Sequence, residues 1–87
     1  MIIKVTQEHI DKGIPEDTMA CPIALALYDA GFKGYDVDII TATDKACAKR
    51  LDSKEIILPN ICRDFILDFD HGGLVQPFEF EFTVPET

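Results

Sequence analysis

The chain has 87 residues, 47% of them hydrophobic, and a formal net charge of −8. This length suits a single globular domain over residues 1–87. The negative charge argues against direct nucleic-acid binding, because the summed field of the protein repels a polyanion. The longest apolar run, Met19–Tyr28, is about half of what spans a bilayer, so no transmembrane helix is expected.

The N-terminal residues lack the basic segment, apolar stretch and cleavage site of a secretory signal. The three cysteines are odd in number and form no Cys-x-x-Cys pair; they are Cys21, Cys47 and Cys62. This usage fits a reducing compartment better than a disulfide scaffold. We therefore expect a cytoplasmic protein.

The first elements are a strand and a short helix. Alternation of apolar and polar residues predicts a strand over residues 2–6, with Ile3 and Val5 on one face. Thr6 is placed to cap a helix over Gln7–Lys12, and Gly13 is placed to end it. Residues 14–18 are expected to be a loop.

The second helix is predicted over residues 22–30. Pro22 suits the first helical position, and Gly31 suits the C-terminal cap. No charged side chain occurs from Met19 to Tyr28. A helix that is apolar on every side is buried on most sides, here against a sheet and either another helix or a second subunit.

Two further strands and one ambiguous segment follow. Strict alternation predicts a half-buried strand over residues 35–41, and residues 55–58 are expected to be a brief strand or extended stretch. Residues 43–52 allow two interpretations, because Thr43 or Asp44 could cap a short helix while residues 45–51 also alternate crudely. We favour a short helix or an irregular segment there.

A third helix is predicted from Pro59 or Asn60 to about Asp70. Its apolar stripe consists of Ile61, Cys62, Phe65, Ile66 and Phe69. The last strand is expected over residues 77–84. One face of this strand carries Phe78, Phe80, Phe82 and Val84, and the other carries Glu79, Glu81 and Thr83. This order of elements predicts an α+β fold, a small and mostly antiparallel sheet with two to three helices packed on one face.

Cys21, at the start of the second helix, has three interpretations. A helix N-terminus can lower the pKa of a thiol and make it reactive, but a nucleophile also needs a base, and only His9 or His71 could supply one. The apolar neighbours of Cys21 favour a buried and inert thiol. Metal ligation is disfavoured because no two Cys or His residues share ligand spacing.

No phosphate-binding loop or nucleotide fingerprint is present, so we predict a non-enzymatic protein with no cofactor and no metal site. Asp68, Asp70 and His71 are interpreted as a solvated helix end. Residues 60–87 contain one basic residue, Arg63, and six acidic residues, so their formal charge is −5. The predicted interaction residues are Asp64, Asp68, Asp70, Glu79 and Glu81. Packing of the helix on the phenylalanine face of the last strand would divide them into two patches.

Four motifs resemble small uncharacterised proteins of phage and bacterial genomes. They are Ile3-x-Val5-Thr-Gln-Glu-His-Ile, Cys21-Pro-Ile-Ala-Leu-Ala-Leu, Phe69-Asp-x-Gly and Pro77-Phe-Glu-Phe-Glu-Phe. Many of these proteins carry a second cysteine three residues before the Cys-Pro, where this chain has Thr18. The resemblance covers nearly the whole length and brings no mechanism.

The resemblance and the charge together suggest a phage-derived binding module in the cytoplasm of a host cell. We expect it to dock on a host protein with a basic surface, such as a defence or nucleic-acid-handling protein, and to block it. Two alternatives are a thiol- or ligand-dependent protein that uses Cys21, and a structural homo-oligomer, with a homodimer as its simplest form.

Overall fold

The computed structural model describes residues 1–51 and 54–84. Its elements, in chain order, are β1 (Ile2–Val5), α1 (Gln7–Lys12), α2 (Pro22–Asp29), β2 (Asp36–Ile40), β3 (Lys45–Lys49), β4 (Ile56–Ile57), α3 (Asn60–Asp70) and β5 (Phe78–Glu81). No helix among these residues is long and apolar enough to cross a bilayer.

The strands form two small antiparallel sheets. β1 pairs with β5, and the other sheet has the order β2-β3-β4. This arrangement confirms the α+β class and the antiparallel pairing. The strands that the sequence assigns to one sheet are divided between two, because the chain ends pair with each other and leave the central strands to form a sheet of their own.

The prediction of a short helix or irregular segment over residues 43–52 is wrong, because Lys45–Lys49 form the strand β3. The backbone turns at Asp44, which has φ +56° and whose N–H donates to the carbonyl of Ile40 (2.8 Å), so the chain returns beside β2 as a hairpin. Ala46 and Ala48 are fully buried on the core side of β3, where α3 packs. Alanine is a weak strand signal, but its small side chain lets α3 pack close to the strand. Residue 52 of the predicted segment lies outside the described residues.

The last strand is shorter than predicted. β5 ends at Glu81, although Phe82 continues the pairing through its N–H, which donates to the carbonyl of Met1 (2.8 Å). Phe80 and Phe82 are buried as expected, whereas Val84 is exposed and does not share their apolar face.

Helix α2 is the centre of the core. Ile23 and Leu27 have no exposed surface, and the helix packs on both β1 and β2. Phe82, which follows β5, packs against the segment that precedes β2. Its ring is edge-on to Phe32 (5.0 Å between centroids) and to Tyr35 (5.6 Å). The ends of the apolar run lie at the surface, since Met19 and Tyr28 are each more than half exposed.

Helix α1 is attached to α2 through His9. Its Nδ1 accepts a hydrogen bond from the N–H of Thr6 (3.0 Å), which completes a capping box, and its Nε2 lies 2.7 Å from Asp29 Oδ2. Because Nδ1 accepts, Nε2 carries the proton that is donated to Asp29. One side chain therefore caps the start of α1 and contacts the end of α2.

Gly13, which ends α1, lies against the first residue of α2. Its φ of −66° is open to any residue, so the requirement for glycine comes from space. A Cβ at this position would lie 2.6 Å from Cδ and Cγ of Pro22. The close approach lets α1 cover the start of α2.

The substitution Gly13→Ala is expected to lower the free energy of unfolding by about 1–3 kcal/mol, the usual cost of overpacking. Denaturant unfolding monitored by circular dichroism measures the loss. In a Pro22→Ala background the same substitution should cost less, because the clashing ring is gone and only the contact with the carbonyl oxygen of His9 (3.0 Å) remains. An equal cost in both backgrounds would show that the Gly13–Pro22 contact is not the cause.

Candidate functional site

The structure places the five predicted interaction residues in three separate locations. Glu79 and Glu81 lie on the outer face of the β1–β5 sheet. Asp64 and Asp68 lie on α3 beside the segment 74–78. Asp70, the last residue of α3, lies beside Glu16 and Asp17 of the loop before α2. Each location has a different charge balance, which decides what it could bind.

The outer face of the β1–β5 sheet is nearly neutral. Glu79 is the cross-strand partner of Lys4, and the N-terminal amine of Met1 is 2.8 Å from Glu81 Oε1. Each glutamate therefore has a cation beside it. These two residues are the weakest candidates among the five.

Asp64 and Asp68 lie on the exposed side of α3, next to the chain segment that leads into β5. Arg63 contacts Asp64 Oδ1 (2.8 Å) and also reaches Asp44 Oδ2 (3.2 Å). Among the described residues, Asp68 has no cationic partner within 4 Å. Asp68 is thus the carboxylate on this face that is free to meet a cation.

Asp70 belongs to an acidic hollow that no local sequence pattern indicates. The walls carry four carboxylates from three separate parts of the chain, Glu16, Asp17, Asp38 and Asp70, and the hollow has a volume of about 280 Å³. Among the described residues, no Lys, Arg or His forms an ion pair with any of the four. Cys21, Val37 and Ile66 contribute the apolar part of its lining.

The hollow is held together by hydrogen bonds to backbone N–H groups. The N–H of Glu16, a residue with φ +63°, donates to Asp70 Oδ1 (2.9 Å) across 54 residues of sequence. Asp17 Oδ1 accepts from the N–H groups of Met19 and Ala20 (both 3.0 Å), which fixes the turn before α2. These contacts fix the carboxylates of Asp70 and Asp17 at the edge of the hollow.

Cys21 is the N-cap of α2 and a buried thiol. Its Sγ accepts a hydrogen bond from the N–H of Ala24 (3.4 Å), and burial raises its pKa to about 11. The pKa shift is opposite to the one that a reactive thiol needs. Within the described residues neither histidine hydrogen-bonds to Cys21, since His9 is bound to Thr6 and Asp29 and His71 to the carbonyl of Leu67.

In residues 1–51 and 54–84, no group of three His, Cys, Asp or Glu side chains is arranged to hold a metal ion. The carboxylates of the acidic hollow are therefore better suited to an organic cation, such as a lysine or arginine side chain, than to a coordinated metal.

No protein-family model, no curated protein and no solved structure matches this chain. The resemblance to small phage and bacterial proteins therefore stays a prediction from its motifs. What the protein does has to be argued from its own geometry.

The three thiols are expected to react with a maleimide in a fixed order. Burial raises the pKa of Cys62 to about 12 and of Cys21 to about 11, so both thiols are protonated at pH 7. Cys47 is also buried, and burial raises its pKa as well, but it lies outside the core cluster, on the face of the sheet shared with Asp38 and Ile57, and should be labelled first.

Mass spectrometry of the native protein after brief labelling checks this order. A single adduct on Cys47 is the expected product, and denatured protein, which should take three adducts, is the control. Rapid labelling of Cys21 in the folded protein would contradict its assignment as an inert capping residue.

Proposed function

We propose that this protein is a non-catalytic acidic module that docks on a basic surface of another protein and blocks it. The observation that carries the proposal is the acidic hollow, whose lining includes four acidic residues that form no ion pair with a described Lys, Arg or His. Such a cavity is complementary to a lysine or arginine side chain that enters from a partner.

The charge balance of the surface supports this function. Among the described residues, four acidic side chains form ion pairs and a fifth, Asp29, accepts a hydrogen bond from His9, whereas Asp68 and the four acidic residues of the hollow have no cationic partner within 4 Å. Carboxylates that are left uncompensated repel one another, and a basic partner would relieve that repulsion on binding. The partner would also be attracted from a distance, since the net charge is −8.

The target class that fits best is a protein whose basic surface normally binds nucleic acid. An acidic module of this size can occupy such a surface in place of the polyanion, by steric and electrostatic blocking. The resemblance to phage and bacterial proteins adds the defence proteins of a host cell to this class of target, with the host cytoplasm as the place of action.

The proposal is tested by affinity capture from a lysate of the source organism or its host at low salt, with charge-reversed variants. Wild type should retain a protein with a basic surface, and Asp38→Lys should weaken its capture about tenfold or more, because a like charge in the contact costs several kcal/mol. Raising the salt concentration should release the partner. Asp68→Lys should weaken capture as well.

The matched control is Asp11→Lys, which makes the same change on exposed α1, outside the hollow. Thermal unfolding of all variants verifies that they are folded. Equal capture by wild type, Asp38→Lys and Asp11→Lys, or retention of acidic proteins alone, would contradict the proposed function.

A further inference from the structure

The surface beside Asp64 and Asp68 carries an apolar groove between α3 and the segment that leads into β5. The groove is lined by Ile61, Phe65, Leu74, Val75 and Phe78, and the two aspartates stand at its rim. Leu74 is fully exposed, and Ile61 is about half exposed. Single exposed apolar side chains are ordinary, but here they adjoin one another around a concave surface.

The floor of the groove consists of packed aromatic rings. The ring of Phe65 lies 4.8 Å from that of Phe78 and stacks on Phe69 at 5.9 Å between centroids. These contacts join α3 to the start of β5. The aromatic floor and the exposed Leu74 together resemble the centre of a protein interface, where apolar anchors are surrounded by polar groups.

We propose that this groove anchors the partner of the proposed function, by binding a segment that carries a large apolar side chain flanked by lysine or arginine. The inference depends on that function and adds a second contact to it. The apolar side chain would cover Leu74 and Ile61, while a flanking basic residue would meet Asp68, since Asp64 is already paired with Arg63.

Charge selects this occupant over a second copy of the chain. Asp64 and Asp68 are one helical turn apart on α3, about 6 Å along its axis, and Asp68 has no cationic partner among the described residues. Two copies that meet through this groove would bring the same carboxylates together, each on a molecule of net charge −8. A basic segment supplies the opposite charge at Asp68, and the negative charge of the whole chain attracts it.

The probe for this groove is a fluorescent synthetic peptide of leucines flanked by lysines, titrated with the protein and followed by anisotropy. Leu74→Ser should weaken binding about tenfold, the effect of losing one buried leucine contact. Leu51→Ser is the matched control, because Leu51 is equally exposed and lies outside the groove. It should leave the affinity unchanged.

A second peptide, with serines in place of the leucines, separates the groove from general charge attraction. If both peptides bind wild type equally, or if Leu51→Ser weakens binding as much as Leu74→Ser, the groove proposal is overturned. If Asp38→Lys still reduces partner capture in that case, the charge-based function stands without the groove. A doubled mass in size-exclusion chromatography that Leu74→Ser abolishes would assign the groove to a second copy and overturn the proposal.

Discussion

The need to bury helix α2 on nearly all sides organises this small protein. Ile23 and Leu27 are wholly enclosed, and one short helix has to be covered by two sheets and a further helix. The β1–β5 sheet covers one side, β2 covers another, and the tight contact of Gly13 with Pro22 lets α1 approach the start of α2. Burial of these apolar side chains removes them from water, which favours folding.

The same constraint creates the acidic hollow. The loop before α2 has to run beside β2, where the N–H of Val37 donates to the carbonyl of Thr18 (2.8 Å), and this places Asp17 near Asp38. Packing of α3 on β2 and β3 then brings Asp70 to the same loop. The loop before α2, strand β2 and helix α3 all enclose the core, and each of them carries an acidic residue at the hollow.

Local signals in the sequence predict the helices, but they do not indicate which strands pair with each other. Thr6 as a cap, Pro22 at a first helical position and the apolar stripe of α3 all act within a few residues, and the structure confirms the elements that they predict. The pairing of Ile3 with Phe80 depends on residues that are far apart in the chain, and nothing near either one indicates it. The hollow was missed for the same reason, although alternation in β2 already indicates that Asp38 faces outward.

The most direct test of α2 as the shared core is native-state hydrogen exchange at three amides. The N–H of Phe82 belongs to the β1–β5 sheet, that of Leu25 to α2, and that of Leu58 is bonded to Ala46 of β3. If α2 joins both sheets into one cooperative unit, all three amides should exchange through a single opening, with the same free energy as global unfolding as denaturant is added. Exchange of Phe82 through a separate opening of clearly lower free energy, while Leu25 and Leu58 stay protected, would contradict this organisation.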